Sequence, residues 1–182
     1  MKAVVMYRSN TGFTRRYATW IAEELGCEAI DMAVSPVDVG DFDVVVFGSW
    51  FHAALVPGSK ECKHLMAEHP DVPFVVFVVG ATKPEETEQT AEALERTYPK
   101  ADYPDLPRFY LRGGFDYPSL SFMDKMLMKM MFKELEKKAA SGDADAAEGL
   151  AGMREGFDAT DREAIGPLVA CAKELAVGRA CR

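Results

Sequence analysis

At 182 residues the chain has room for one substantial α/β core and little reason to divide in two. With 48% hydrophobic and 27% charged residues it has the balance of a soluble globular protein, and a formal charge of -8 disfavours nucleic acid, whose phosphates reward clustered lysine and arginine. The four cysteines, Cys27, Cys62, Cys171 and Cys181, form no CxxC pair and no Cys/His ligand spacing, so no zinc or dithiol centre is indicated and reduced thiols are expected.

The first element begins at once. Ala3 to Tyr7 is an unbroken apolar run preceded by no charged leader and cleavage site, so a cytoplasmic location is expected. No apolar run approaches the roughly 18 to 20 residues that span a bilayer. Phe13, Tyr17, Trp20, Ile21 and Leu25 follow at helical spacing on one face. Cys27 to Met32 predicts a short second strand. Asp43 to Phe47 and Phe74 to Val79 predict a third and fourth, the last without polar alternation, as strands buried on both faces read. Helices are expected over Ser59 to Glu68 and Pro84 to Thr97, the latter opened by a proline suited to a first turn. Leu106 to Leu111 supplies a fifth strand and Asp161 to Val177 a closing helix. Strands alternating with helices in this way predict a five-stranded, doubly wound parallel sheet, one domain over residues 1–182. Gly113 to Asp158 interrupts that plan as an insertion. Ser119 to Lys138 is a Met-rich helix, and Ala139 to Gly156 a weakly helical connection rich in Ala, Gly, Asp and Glu.

Between the first strand and first helix stand Ser9, Asn10, Thr11, Gly12, Phe13 and Thr14. A helix N-terminus offers unpaired amides and a positive dipole end, both suited to an anion. Gly12 permits close backbone approach, while Ser9, Thr11 and Thr14 add hydroxyl donors. A plain N-cap is the alternative, but one hydroxyl would serve for that. The run contains neither a Walker lysine nor GxGxxG, which counts against nucleoside triphosphates and dinucleotides.

Ser-x-Thr-Gly-x-Thr in this position resembles the phosphate signature of flavodoxins, and the element order is similar to theirs. The resemblance implies flavin mononucleotide (FMN), its ring lying across the strand ends between the loops after the third and fourth strands. The first of these loops, Gly48 to Gly58, carries Ser49, Trp50, Phe51 and His52. Trp50 or Phe51 could stack on the ring, or either could pack in the core beneath. The second loop, Gly80, Ala81, Thr82 and Lys83-Pro84-Glu85, offers amides to the pyrimidine edge and lacks the aromatic common in simple flavodoxins, which leaves one ring face more open to substrate unless Trp50 or Tyr117 occupies it.

Arg112-Gly113-Gly114-Phe115-Asp116-Tyr117-Pro118 and the Met-rich helix after it resemble the corresponding stretch of menaquinone-dependent protoporphyrinogen dehydrogenases. That likeness implies an oxidoreductase passing electrons from a bulky reduced substrate to a quinone. The match lapses at Phe132-Lys133-Glu134-Leu135, where the helix continues instead of turning. Lys125, Lys129, Lys133 and Lys137 beside Met123, Met126, Leu127, Met130 and Met131 suit a helix (120–138) that touches an anionic membrane surface, making the protein peripheral at the inner membrane face. The other reading packs the methionines on the sheet and leaves the lysines solvated. Two further functions stay open: a one-electron carrier between redox proteins, and a flavodoxin-fold binding module without catalysis. No metal site, nucleic-acid partner or catalytic side chain is assigned.

Overall fold

The computed structural model describes residues 1–35, 37–52, 55–83 and 87–181. They form two compact units: residues 1–113 with 160–182, and residues 114–159. The first unit contains β1 (Ala3–Tyr7), α1 (Phe13–Leu25), β2 (Ala29–Asp31), β3 (Val44–Trp50), α2 (Ser59–Glu68), β4 (Phe74–Gly80), α3 (Thr87–Thr97) and β5 (Arg108–Arg112). The second contains β6 (Gly114–Phe115), α4 (Phe122–Ala140), α5 (Ala144–Glu155) and β7 (Phe157–Asp158). The chain then returns to the first unit through a 3-10 turn (Glu163–Ile165) and α6 (Gly166–Leu175).

The five-stranded sheet has the order β2-β1-β3-β4-β5, and every pairing is parallel. The predicted fold class is what the chain adopts. Alternation along the strands explains the two-layered core, because successive side chains leave opposite faces. Val5, Val46, Val75 and Phe77 meet Tyr17 and Ile21 of α1 and Leu168 of α6 on one face. Val4, Val45, Val76 and Val78 meet Cys62 of α2 and Leu94 and Tyr98 of α3 and its end on the other. Strands buried twice over must be largely apolar, and β1, the first five residues of β3 and the first six of β4 are, with Ser49 the one polar residue in the buried run of β3.

Several boundaries differ from expectation. β3 continues three residues past Phe47, because Gly48 lies opposite Phe77 in the ladder and has no Cβ to obstruct its ring; a Cβ there would sit 2.1 Å from Cζ. Ser49 and Trp50 are therefore strand-end residues, not loop residues. The expected closing helix starts late, since Asp161 and Arg162 precede a 3-10 turn and Pro167 occupies the first turn of α6. Residues 84–86, where a proline-led start to α3 was expected, lie outside the described residues.

In the second unit the expected weak connection after α4 is a defined helix. Asp143 caps it, its carboxylate accepting from the Ala146 amide at 3.0 Å, and Gly156 ends it at φ 75°. β6 and β7 pair antiparallel, Gly114 with Asp158 and Phe115 with Phe157, closing the unit on itself.

The expectation of four reduced thiols is overturned by a disulfide between Cys171 and Cys181. Gly178, at φ 72°, turns the chain back after α6, with the Arg179 amide bonded to the Glu174 carbonyl. That reversal carries Cys181 to the helix it has just left, a closure that sequence spacing does not reveal.

Candidate functional site at the strand ends

The chain leaves β1 outward to β2 and then crosses back to β3, so the sheet reverses direction between β1 and β3. At such a switch point a ligand is expected at the carboxyl ends of the strands. Three segments of the first unit follow strand ends there: residues 8–14, 49–52 with 55–58, and 80–82.

The first segment is held open by its own hydrogen bonds. Ser9 Oγ accepts from the Gly12 amide at 3.2 Å, which leaves its O–H to donate elsewhere. Gly12 is the N-cap of α1 at φ 94°, a left-handed conformation that suits glycine, and a Cβ added there would meet nothing within 4 Å. No side chain caps the helix at Gly12, and the first intrahelical acceptor serves Arg16, so the amides of Phe13, Thr14 and Arg15 head the turn without helical partners. Ser9, Thr11 and Gly12 are half-buried and Asn10 is exposed. Phe13 packs against the core, its Cβ 3.3 Å from where a Cβ on Gly113 would stand. Thr14 differs from the other hydroxyls in the run. It is 2% exposed, and its Oγ1 donates to the Ser49 carbonyl at 3.4 Å, tying α1 to the end of β3.

The second segment starts on that same residue. Ser49 is fully buried, and its Oγ donates to the Pro57 carbonyl at 2.6 Å, which clamps the loop to the strand. Phe51 is part of the core margin: its ring stacks on Tyr110 at 6.2 Å and 27°. Trp50 is half-buried and belongs to neither core cluster, so of the two aromatics it is the one whose ring is not committed to packing beneath the loop. His52 exchanges backbone hydrogen bonds with Leu55, at 2.8 and 2.9 Å. Ala53 and Ala54, between them, lie outside the described residues.

Gly80, Ala81 and Thr82 are half-buried. A Cβ on Gly80 would lie 2.8 Å from the Tyr110 hydroxyl and 3.3 Å from the Phe51 ring, so glycine is what lets the two aromatics close over the strand end. The Tyr110 hydroxyl donates to the Thr82 carbonyl at 2.8 Å. Burial pushes its pKa up to about 12, and it stays a neutral donor at ordinary pH. Tyr110 was missed in the sequence. Its place in the latter half of a strand adjoining the fourth was the available signal.

Arg8 was missed as well. Its side chain lies against Gly58, 3.1 Å from where a Cβ would stand, and its guanidinium bonds Glu61 of α2 at 3.3 Å. It thereby joins the first segment to the second. No cluster of metal-ligating side chains occurs among the described residues.

Comparison with known proteins agrees with this architecture. The profile of a family described as a flavodoxin domain matches residues 4–141. Among solved structures, a Bacteroides uniformis protein described as a flavoprotein is 14% identical, with 62% of this chain and 90% of that one covered at a TM-score of 0.45. A Trp repressor binding protein from Bacillus subtilis is 12% identical over 62% and 83%, TM-score 0.43, and a flavodoxin from the domain Archaea 16% identical over 62% and 83%, TM-score 0.41. At such identities and scores the three carry nothing about activity. No protein of curated function matches the chain in sequence.

Proposed function

The chain belongs to the flavodoxin-domain family, whose fold implies a flavin, and from that premise we propose that it is an FMN-binding oxidoreductase. The observation that carries the choice of mononucleotide is the opening of α1. Left-handed Gly12, where an added Cβ would meet nothing within 4 Å, heads a helix whose first three amides have no helical acceptor, with Ser9 Oγ bonded to the Gly12 amide and Thr11 beside it in the chain. That donor set fits a dianionic phosphate without lysine or arginine. Ser9, Asn10, Thr11, Gly12 and Phe13 would hold it, and Thr14 would support the loop from beneath through Ser49.

Bound there, the flavin would supply hydride and single-electron transfer. The protein's share is placement. Trp50 would cover a flat face of the ring, with His52 at its margin. The amides of Gly80, Ala81 and Thr82, steadied by Tyr110 and Phe51, would meet its polar edge. Buried Ser49 keeps the loop against the strand while those contacts form.

For the reaction, the Gly113-to-Pro118 stretch and the Met-rich helix support a bulky reduced substrate of the porphyrinogen type and a quinone acceptor. The acidic charge of -8 instead favours a carrier that exchanges single electrons with protein partners, since such a surface steers encounter with basic patches.

The test starts from the visible spectrum of the purified chain and its titration with FMN. Thr11→Val and Ser9→Ala are each expected to weaken FMN binding roughly 10-fold or more, the worth of a hydrogen bond to a charged group. A chain that takes up no FMN would overturn the proposal. Anaerobic reduction by protoporphyrinogen with reoxidation by a menaquinone analogue would support the dehydrogenase reading. Electron exchange confined to redox proteins would favour the carrier.

A further inference from the structure

Ten large apolar side chains stand exposed among the described residues, and six of them are on α4: Phe122, Met123, Met126, Leu127, Met130 and Met131, at 37% to 78% exposure. No residue of α4 is buried. Met123, Met126, Met130 and Met131 are thus exposed. Met128, Phe132 and Leu135 take the half-buried side of the helix.

From Phe122 to Phe132 the polar residues are Asp124, Lys125 and Lys129. Asp124 is engaged with the cap, its amide bonded to Ser121 Oγ at 3.1 Å, and Lys125 Nζ donates to the Pro118 carbonyl at 2.8 Å. Those three turns are apolar nearly all round. A helix of that kind is normally enclosed by protein or lipid, and an exposed patch of this extent marks a contact surface. After Phe132 the character changes to Lys133, Glu134, Glu136, Lys137 and Lys138, so apolar and charged surface are separated along the helix axis.

We propose that the N-terminal three turns of α4 insert into the interface of an anionic lipid bilayer, with Lys129 and Lys133 reaching the headgroups. Charge selects this occupant. α4 carries five lysines against three acidic residues in a chain of net charge -8, so it is the segment that an anionic surface attracts while the rest is repelled. Lysine stems can lie along apolar surface with their ammonium groups at headgroup level. A second copy would fit worse, because a twofold contact through this face sets Lys129 and Lys133 near their own equivalents. No helix among the described residues is long and apolar enough to cross a membrane, so the contact is interfacial. The inference is independent of flavin binding.

Sedimentation of the full chain with sucrose-loaded vesicles tests it. Binding is expected on phosphatidylcholine vesicles containing about a third phosphatidylglycerol, and at least about tenfold weaker binding on phosphatidylcholine alone or at high salt. Met126→Asp combined with Met130→Asp should abolish it, and Lys129→Glu with Lys133→Glu should weaken it by about tenfold or more. Both pairs are exposed, so far-UV circular dichroism should be unchanged. In Met126→Trp, emission should shift to the blue on anionic vesicles and be quenched by brominated acyl chains. Failure to bind anionic vesicles would overturn the proposal. So would a dimer in sedimentation equilibrium that Met126→Asp with Met130→Asp dissociates, since a second copy would then own the face.

Discussion

Cys62 of α2 lies at 0% exposure beside Tyr98, and burial pushes its thiol up to about 12 from an ordinary 9.0. Burial likewise raises Tyr110 from 10.0 to about 12. In both groups the folded state keeps a proton that the unfolded chain releases at lower pH. Their stabilising effect is whole below pH 9 and is lost as pH rises through 12, at up to about 1.4 kcal/mol per pH unit for each group. Urea unfolding at pH 8, 10 and 11 should show a steady fall, and Cys62→Ala should remove one group's share of the slope. An unchanged slope in that variant would mean the thiol titrates normally. Residue types at this site were legible in the chain, but roles were not. Ser49 and Thr14 present the hydroxyls of a binding loop in sequence, and in the fold both hydroxyls face carbonyls of the protein itself.

Among the elements, α1 does most to bring distant parts together. Tyr17 is fully buried, donates to the Arg112 carbonyl at 2.6 Å and accepts from the Asp161 amide at 2.9 Å, with its ring edge-on to Trp20 at 5.4 Å. One phenol thus ties the helix that opens the candidate site to the end of β5 and to the approach to α6. Tyr17→Phe keeps the ring and removes both bonds, with an expected loss of about 1–3 kcal/mol in equilibrium unfolding and faster amide exchange at Asp161. Element types were legible because periodicity reports burial: β1 and β4 are apolar at successive residues, and α1 repeats at helical spacing. The helix over 144–155 read only as a weakly helical connection because its alanines and glycines mark no face, and it depends on the Asp143 cap and on packing with α4.

Across the whole molecule, the first unit is closed by the Cys171–Cys181 bridge behind α6. A loop of that length constrains the unfolded chain, and Cys181→Ser is expected to cost about 2–3 kcal/mol. Thermal melting with and without reductant measures it. Thiol titration of the denatured, unreduced chain should count Cys27 and Cys62 alone. The second unit, residues 114–159, interrupts the first between β5 and the 3-10 turn. It is completed by its own two-stranded pairing.

The amino-acid sequence by itself determined the doubly wound sheet, the helices that cover it and a hydroxyl-rich turn at the first strand end, because these follow from local periodicity and turn chemistry. Tertiary structure alone decided that the Thr14 and Ser49 hydroxyls bond to carbonyls of the protein, that Tyr110 bonds Thr82 and Arg8 bonds Glu61, that Cys181 returns to Cys171, and that four methionines of α4 are exposed. Each of these depends on residues far apart in the chain meeting in space, or failing to meet, and spacing along the sequence carries no record of that.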